Sequence, residues 1–174
     1  MDRMWLTRAD RMETIVRGLA AGSIAGALLA GLESFAAVTS GHGALLPWRM
    51  AASVLLEKGA FAATPAVVLF VGLSVHAVMS ISAGVSAAML SEWSEASRRH
   101  RLGQASASLA GAVFGGLIWF LTFPMVAANL FPWIWRLDQG VQLALHLAYG
   151  AALGLALNVM GRHAHNPPDS VLRT

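Results

Sequence analysis

Residues 59–91 read GAFAATPAVVLFVGLSVHAVMSISAGVSAAMLS and contain no Asp, Glu, Lys or Arg. A membrane helix needs roughly 20 apolar residues to cross a hydrocarbon core of about 30 Å, and this run exceeds that length. Residues 102–135 and 139–161 are also free of charge, and residues 18–48 carry only Glu33. These runs place spans near residues 14–38, 64–91, 104–128 and 138–160. Alternating strand patterns are missing, which argues against a barrel. In lipid, only a helix satisfies every backbone group within a single span. The expected fold is all-α: an integral membrane four-helix bundle forming one domain over residues 1–174.

Composition agrees. The chain has 174 residues, of which 56% are hydrophobic and 12% charged, with a mean hydropathy of +0.60. A soluble domain is about one quarter charged. Cysteine is absent, which excludes disulfide frameworks, thiolate zinc sites, iron–sulfur clusters and cysteine nucleophiles. The first apolar stretch exceeds the roughly 7–15 residues of a secretory signal, so it is read as a retained span.

Basic residues set the expected orientation. Arg3, Arg8, Arg11 and Arg17 precede span one, Arg98, Arg99 and Arg101 lie between spans two and three, and Arg162 and Arg173 follow span four. The opposite side carries only Arg49, Lys58 and Arg136. Positive residues stay cytoplasmic, so both termini are expected in the cytoplasm. The pI near 10.6 then reflects topology and contact with anionic lipid. It does not point to nucleic acid, since no basic stripe with interleaved aromatics is present. Trp48, Trp133 and Trp135 fall at the outer boundary and Trp93 at the inner one, where such rings prefer to sit. Trp119, inside span three, reads as a packing residue.

The first outer loop is long. After the turn-forming Ser40-Gly41-His42-Gly43, residues 45–61 read as an amphipathic helix. Arg49, Ser53 and Glu57 recur every four residues beside an apolar line of Leu46, Met50 and Val54. Such a helix lies on the outer membrane surface or caps the bundle. The tail beyond Arg162, with Asn166-Pro167-Pro168, is expected to be poorly ordered.

Spans two and four share a pattern. Gly72, His76, Ser80, Gly84 and Ala88 recur at four-residue spacing, and so do Gln142, His146, Gly150, Gly154 and Asn158. Span one has Gly18, Gly22 and Gly26, and span three has Gly111 and Gly115. These GxxxG patterns let helix backbones approach closely. The chain therefore reads as two similar hairpins of the same inside-out sense, related by an axis along the membrane normal.

Ionisable groups within a membrane are costly and face the bundle interior or water. Glu33, His76 and His146 are the candidates. At about 1.5 Å per residue, His146 lies roughly 12 Å and His76 roughly 18 Å below their span starts, which puts His146 in the outer half and His76 nearer the middle, a separation within the error of the span ends, with Glu33 slightly above. Three chemistries follow. His76 and His146 suit the axial ligands of a b-type haem. Glu33, His76 and His146 together suit a divalent metal such as zinc, copper or iron. The same groups suit a proton relay. The plainer alternative makes the histidines interhelical glue, bonded to each other, to Glu33, to Ser80 or to a backbone carbonyl. His42 reads as a solvated loop residue, His100 as part of a basic loop, and His163 and His165 as tail residues. No HExxH, GxSxG or P-loop is present, so the reading favours a protein that is not an enzyme.

The segment from His76 to Tyr149 resembles the YagU-type family of small bacterial inner-membrane proteins of unknown function. The residues that carry the resemblance are His76-x3-Ser80, a glycine-containing helix ending at Glu92 and a basic loop. Gly111-x3-Gly115, Phe123-Pro124, Pro132-Trp133 and His146 complete the pattern, with a weaker match at Glu33 and Pro47-x-Arg49. The resemblance implies four inner-membrane helices and, by analogy, a link to acid tolerance that suits a proton-responsive histidine pair. This chain has a shorter first outer loop and lacks cysteine, so chemistry needing either does not carry over.

The leading expectation is a non-enzymatic membrane protein whose Glu33, His76 and His146 bind a proton, a metal ion or haem. The competing ones are an accessory or assembly subunit of a larger membrane complex and a small oligomeric transporter or channel. Its partners are then the lipid bilayer and other membrane subunits or copies of itself.

Overall fold

The structure, a computed structural model, describes residues 8–93 and 103–165. Arg3, Arg98, Arg99, His100, Arg101, the 166–168 tail motif and Arg173 lie outside the described residues, as do the side chains of Trp93, Arg136, Arg162, His163 and His165.

Helix α1 spans Arg8–Thr39 and ends where Gly41 turns with φ +77°, a left-handed conformation that glycine adopts without strain. Helix α2 follows over Leu46–Leu56, with proline in its first turn. Glu57 then takes a φ of +48°, which ends the helix, and a 3-10 turn covers Glu57–Phe61. The expected outer helix at 45–61 is thus an α-helix plus a tighter turn. Helix α3 covers Pro65–Trp93, its proline at a first position whose N–H needs no partner. Helix α4 covers Gln104–Phe120 and continues through a widened π turn, Leu121–Ala127, that contains Pro124, to Leu130. A 3-10 turn at Ile134–Arg136 leads to α5, Gln139–His165. The Asp138 carboxylate starts α5 by accepting the N–H groups of Gly140 at 2.9 Å and Val141 at 3.1 Å, a side-chain cap.

Four of these helices are long and apolar enough to cross a membrane: Asp10–Thr39, Pro65–Glu92, Gln104–Leu130 and Gln139–Gly161. Among the described residues there is no strand. The outward faces are apolar, with Phe35, Phe70, Val78 and Leu109 each about two-thirds exposed or more. Such surfaces suit lipid and would not stay bare in water.

The interior is made of small residues. Ala21, Ala25 and Leu29 of α1 meet Tyr149 and Leu153 of α5. Within each hairpin the backbones touch. A Cβ on Gly22 would lie 2.6 Å from the Ser80 carbonyl oxygen, and one on Gly84 would lie 2.6 Å from Gly22 Cα. In the second hairpin a Cβ on Gly111 would overlap the Gly150 carbonyl, and one on Gly154 would lie 3.0 Å from Gly111 Cα. Gly22 with Ser80 and Gly84 therefore matches Gly111 with Gly150 and Gly154, contact for contact.

The hairpins repeat, but their junction does not obey the expected two-fold relation. Helix α1 packs along α5, whereas α3 and α4 make at most marginal contact. At one end of this gap stands α2, which only the first hairpin possesses. It packs on α3 at Gly72, where a Cβ would lie 3.2 Å from Trp48 Cα. From there it places Met50 and Val54 against Phe123, Ala127 and Ile134. The space between α3 and α4 is bridged at this end and stays open below. At the opposite end an ion pair between Arg17 and Glu92 ties α1 to α3.

The polar residues of α2 also turn inward. Arg49 donates to the carbonyls of Ala60 at 2.8 Å, Phe61 at 3.0 Å and Ala63 at 3.2 Å. Ser53 is fully buried and accepts the indole N–H of Trp133 at 2.9 Å. Two of the three residues at four-residue spacing, Arg49 and Ser53, thus anchor α2 to its neighbours, while Glu57 and Leu55 are exposed. Of the two placements that the amphipathic pattern allowed, the helix takes the cap on the bundle.

Candidate functional site

The open space between α3 and α4 forms a cavity of about 290 Å³ roofed by α2. Glu33 from α1, His76 from α3 and His146 from α5 all line it. Sequence depth alone allowed a shared level, and the fold places the three on one wall system. Leu29, Met50, Val54 and Ile118 supply much of the apolar lining.

Each polar group is held differently. His76 Nε2 donates across to α1, to the Gly26 carbonyl at 2.9 Å. Its ring stands edge-on to Trp48, with centroids 5.8 Å apart. His146 Nδ1 donates within its own helix, to the Gln142 carbonyl at 2.9 Å, and its ring stands edge-on to Phe123 at 5.5 Å. A carbonyl only accepts, so in each neutral ring the bonded nitrogen carries the hydrogen and the other is left with a lone pair. His76 thus presents Nδ1 and His146 presents Nε2 as acceptors, neither with a hydrogen-bond partner among the described residues. The expected glue role is therefore half met. His76 ties two helices together and His146 does not.

Glu33 is half-buried and engages in no hydrogen bond or ion pair among the described residues. A carboxylate so placed inside a span is expensive unless something neutralises it.

Among the described residues no group of three His, Asp or Glu side chains is placed to hold a metal ion. Glu33, His76 and His146 share a cavity and not a coordination point. The arrangement does not fit haem either. The Nε2 of His76, a usual ligating atom, already serves the Gly26 carbonyl. The cavity lies at the small end of the roughly 300–1,000 Å³ that drug-sized ligands occupy, and a macrocycle asks for more.

Three features escaped sequence reading. Tyr149 donates its hydroxyl to the Ser80 carbonyl at 3.0 Å, a buried bond that ties α5 to α3 beside the cavity. Its signal was a lone tyrosine three residues after His146. Thr122 and Phe123 enter the lining through the π turn, signalled by Pro124 within an otherwise regular apolar run, since such turns recur at functional sites. His42 is exposed, as a loop residue should be, yet it also lines the cavity.

No known family model, curated protein or solved structure matches the chain.

Proposed function

We propose that this chain is a multi-pass membrane protein that binds a small, largely apolar molecule in the cavity under α2, without transforming it. Glu33, His76 and His146 contact the polar part of that molecule. One observation supports the reading above the others: three ionisable side chains from three helices line a single cavity. Each keeps an acceptor atom without a hydrogen-bond partner among the described residues. Acceptor atoms that line a cavity without a protein partner are open to the donors of a bound molecule. Placement in a bacterial inner membrane with both termini cytoplasmic, and kinship with the YagU-type proteins, belong to the same proposal. They rest on the arginine distribution and on the quoted residues.

Dicyclohexylcarbodiimide, a small apolar carboxyl reagent, tests the reading on the protein in lipid nanodiscs. The expected result is a single adduct on the Glu33 peptide by mass spectrometry. Ala36→Phe and Ala51→Phe, which fill the cavity from α1 and α2, should each suppress it while the protein stays monodisperse. An unlabelled Glu33, or equal labelling in both filled variants, would overturn the reading. An absorption spectrum of the same preparation should show no haem band, and a band that His76→Gln removes would favour the haem alternative.

A further inference from the structure

The cavity also has a sign. Glu33 and Asp138 both line it, and among the described residues no Lys or Arg does. The two imidazoles, as their hydrogen bonds fix them, present lone pairs and not N–H groups. The Tyr149 hydroxyl is spent on the Ser80 carbonyl. The Asp138 carboxylate is already supplied with the N–H groups of Gly140 and Val141. The Glu33 carboxylate has no such supply. The Gln142 amide, the hydroxyls of Ser40, Ser80 and Thr122, and the His42 ring of the loop can serve in either sense. Among the described residues the polar wall thus carries two carboxyl groups, two imidazole lone pairs and no fixed cation, and it faces an apolar remainder.

We infer that the ligand is a lipophilic organic cation: an apolar body with a protonated amine head that pairs with Glu33 and donates to His76 Nδ1 or His146 Nε2. A carboxylate in a low-dielectric site gains most from a partner that brings both charge and N–H groups. The apolar body occupies the space where α3 and α4 fail to pack on each other. The inference rests on the cavity being a ligand site and adds the chemical class that fills it.

The test compares three probes with one ten-carbon chain and different heads: decylammonium, 1-decanol and decanoate. Saturable binding is measured by equilibrium dialysis at neutral pH against protein in phosphatidylcholine nanodiscs, with empty nanodiscs subtracted. Decylammonium should bind at least about tenfold more tightly than either other probe, the factor expected of a charged hydrogen bond. Glu33→Gln should remove most of that preference, and Ala36→Phe and Ala51→Phe should abolish saturable binding. Equal binding of all three heads that the filled variants remove would overturn the cation assignment and leave the cavity reading standing. So would decylammonium binding that survives Glu33→Gln. Absence of saturable binding by every probe also overturns the cation assignment, and carbodiimide labelling of Glu33 then reports separately on the cavity.

Discussion

The two hairpins use one packing scheme for two purposes. In both, glycines four residues apart bring backbones into contact, and Gly22 against Gly84 has its counterpart in Gly111 against Gly154. Each second helix carries a histidine at the matching position, yet the rings are held differently. His76 bonds across the hairpin to Gly26, and His146 bonds back along its own helix to Gln142. Ser80 stands where the second hairpin has Gly150, and its carbonyl receives Tyr149 from the other hairpin. The first hairpin adds Glu33 and the roof α2, and the second adds the π turn at Pro124. The contrast teaches that small residues define a rigid scaffold, while the few polar positions are free to diverge into a site.

The largest effect should come from the shared scaffold. Gly22→Ala and Gly111→Ala each drive a methyl into backbone of the facing helix, and each should cost about 3 kcal/mol in steric-trap unfolding, the upper range for overpacking. Gly31→Ala, with nothing within 4 Å, should be silent. Widely unequal losses at Gly22 and Gly111 would break the equivalence of the hairpins. Next comes Arg49→Met, which removes three carbonyl bonds found only in the first hairpin. A loss of about 2 kcal/mol is expected, with faster hydrogen exchange over residues 57–64 and unchanged exchange in α4 and α5. Tyr149→Phe should cost about 1 kcal/mol by deleting the bond that joins the hairpins at the cavity. The smallest and sharpest comparison is His76→Phe against His146→Phe. The former loses an interhelical bond worth about 0.6 kcal/mol, and the latter, losing a bond within one helix, should fall below it. The reverse order would contradict the different roles of the two rings.

Much of this was legible in the sequence because the bilayer is a severe solvent. Runs without charge located the spans to within a few residues, and four-residue glycine spacing marked the contact faces. The depths of His76 and His146, about one helical turn apart, were close enough for the rings to share a site. Other features were hidden for identifiable reasons. Periodicity shows that Arg49 and Ser53 share a face of α2, but not that the carbonyls of residues 60, 61 and 63 and the Trp133 indole await that face. Proline in an apolar run signals a perturbed helix without choosing between a kink and a π turn. A histidine's spacing does not reveal which ring nitrogen is bonded, and that choice leaves a lone pair of each ring on the cavity wall. Nor can a repeat in sequence show that the two hairpins pack without two-fold symmetry.

The central claim is that Glu33, His76 and His146 face one cavity, and a cross-linking measurement tests it most directly. The chain has no cysteine, so introduced pairs are unambiguous. Glu33→Cys combined with His76→Cys, and separately with His146→Cys, should be joined efficiently by a short bifunctional maleimide. Glu33→Cys combined with Phe70→Cys or Leu109→Cys, on exposed apolar faces, should not. Failure of either cavity pair to cross-link, or equal cross-linking of the exposed controls, would contradict the account.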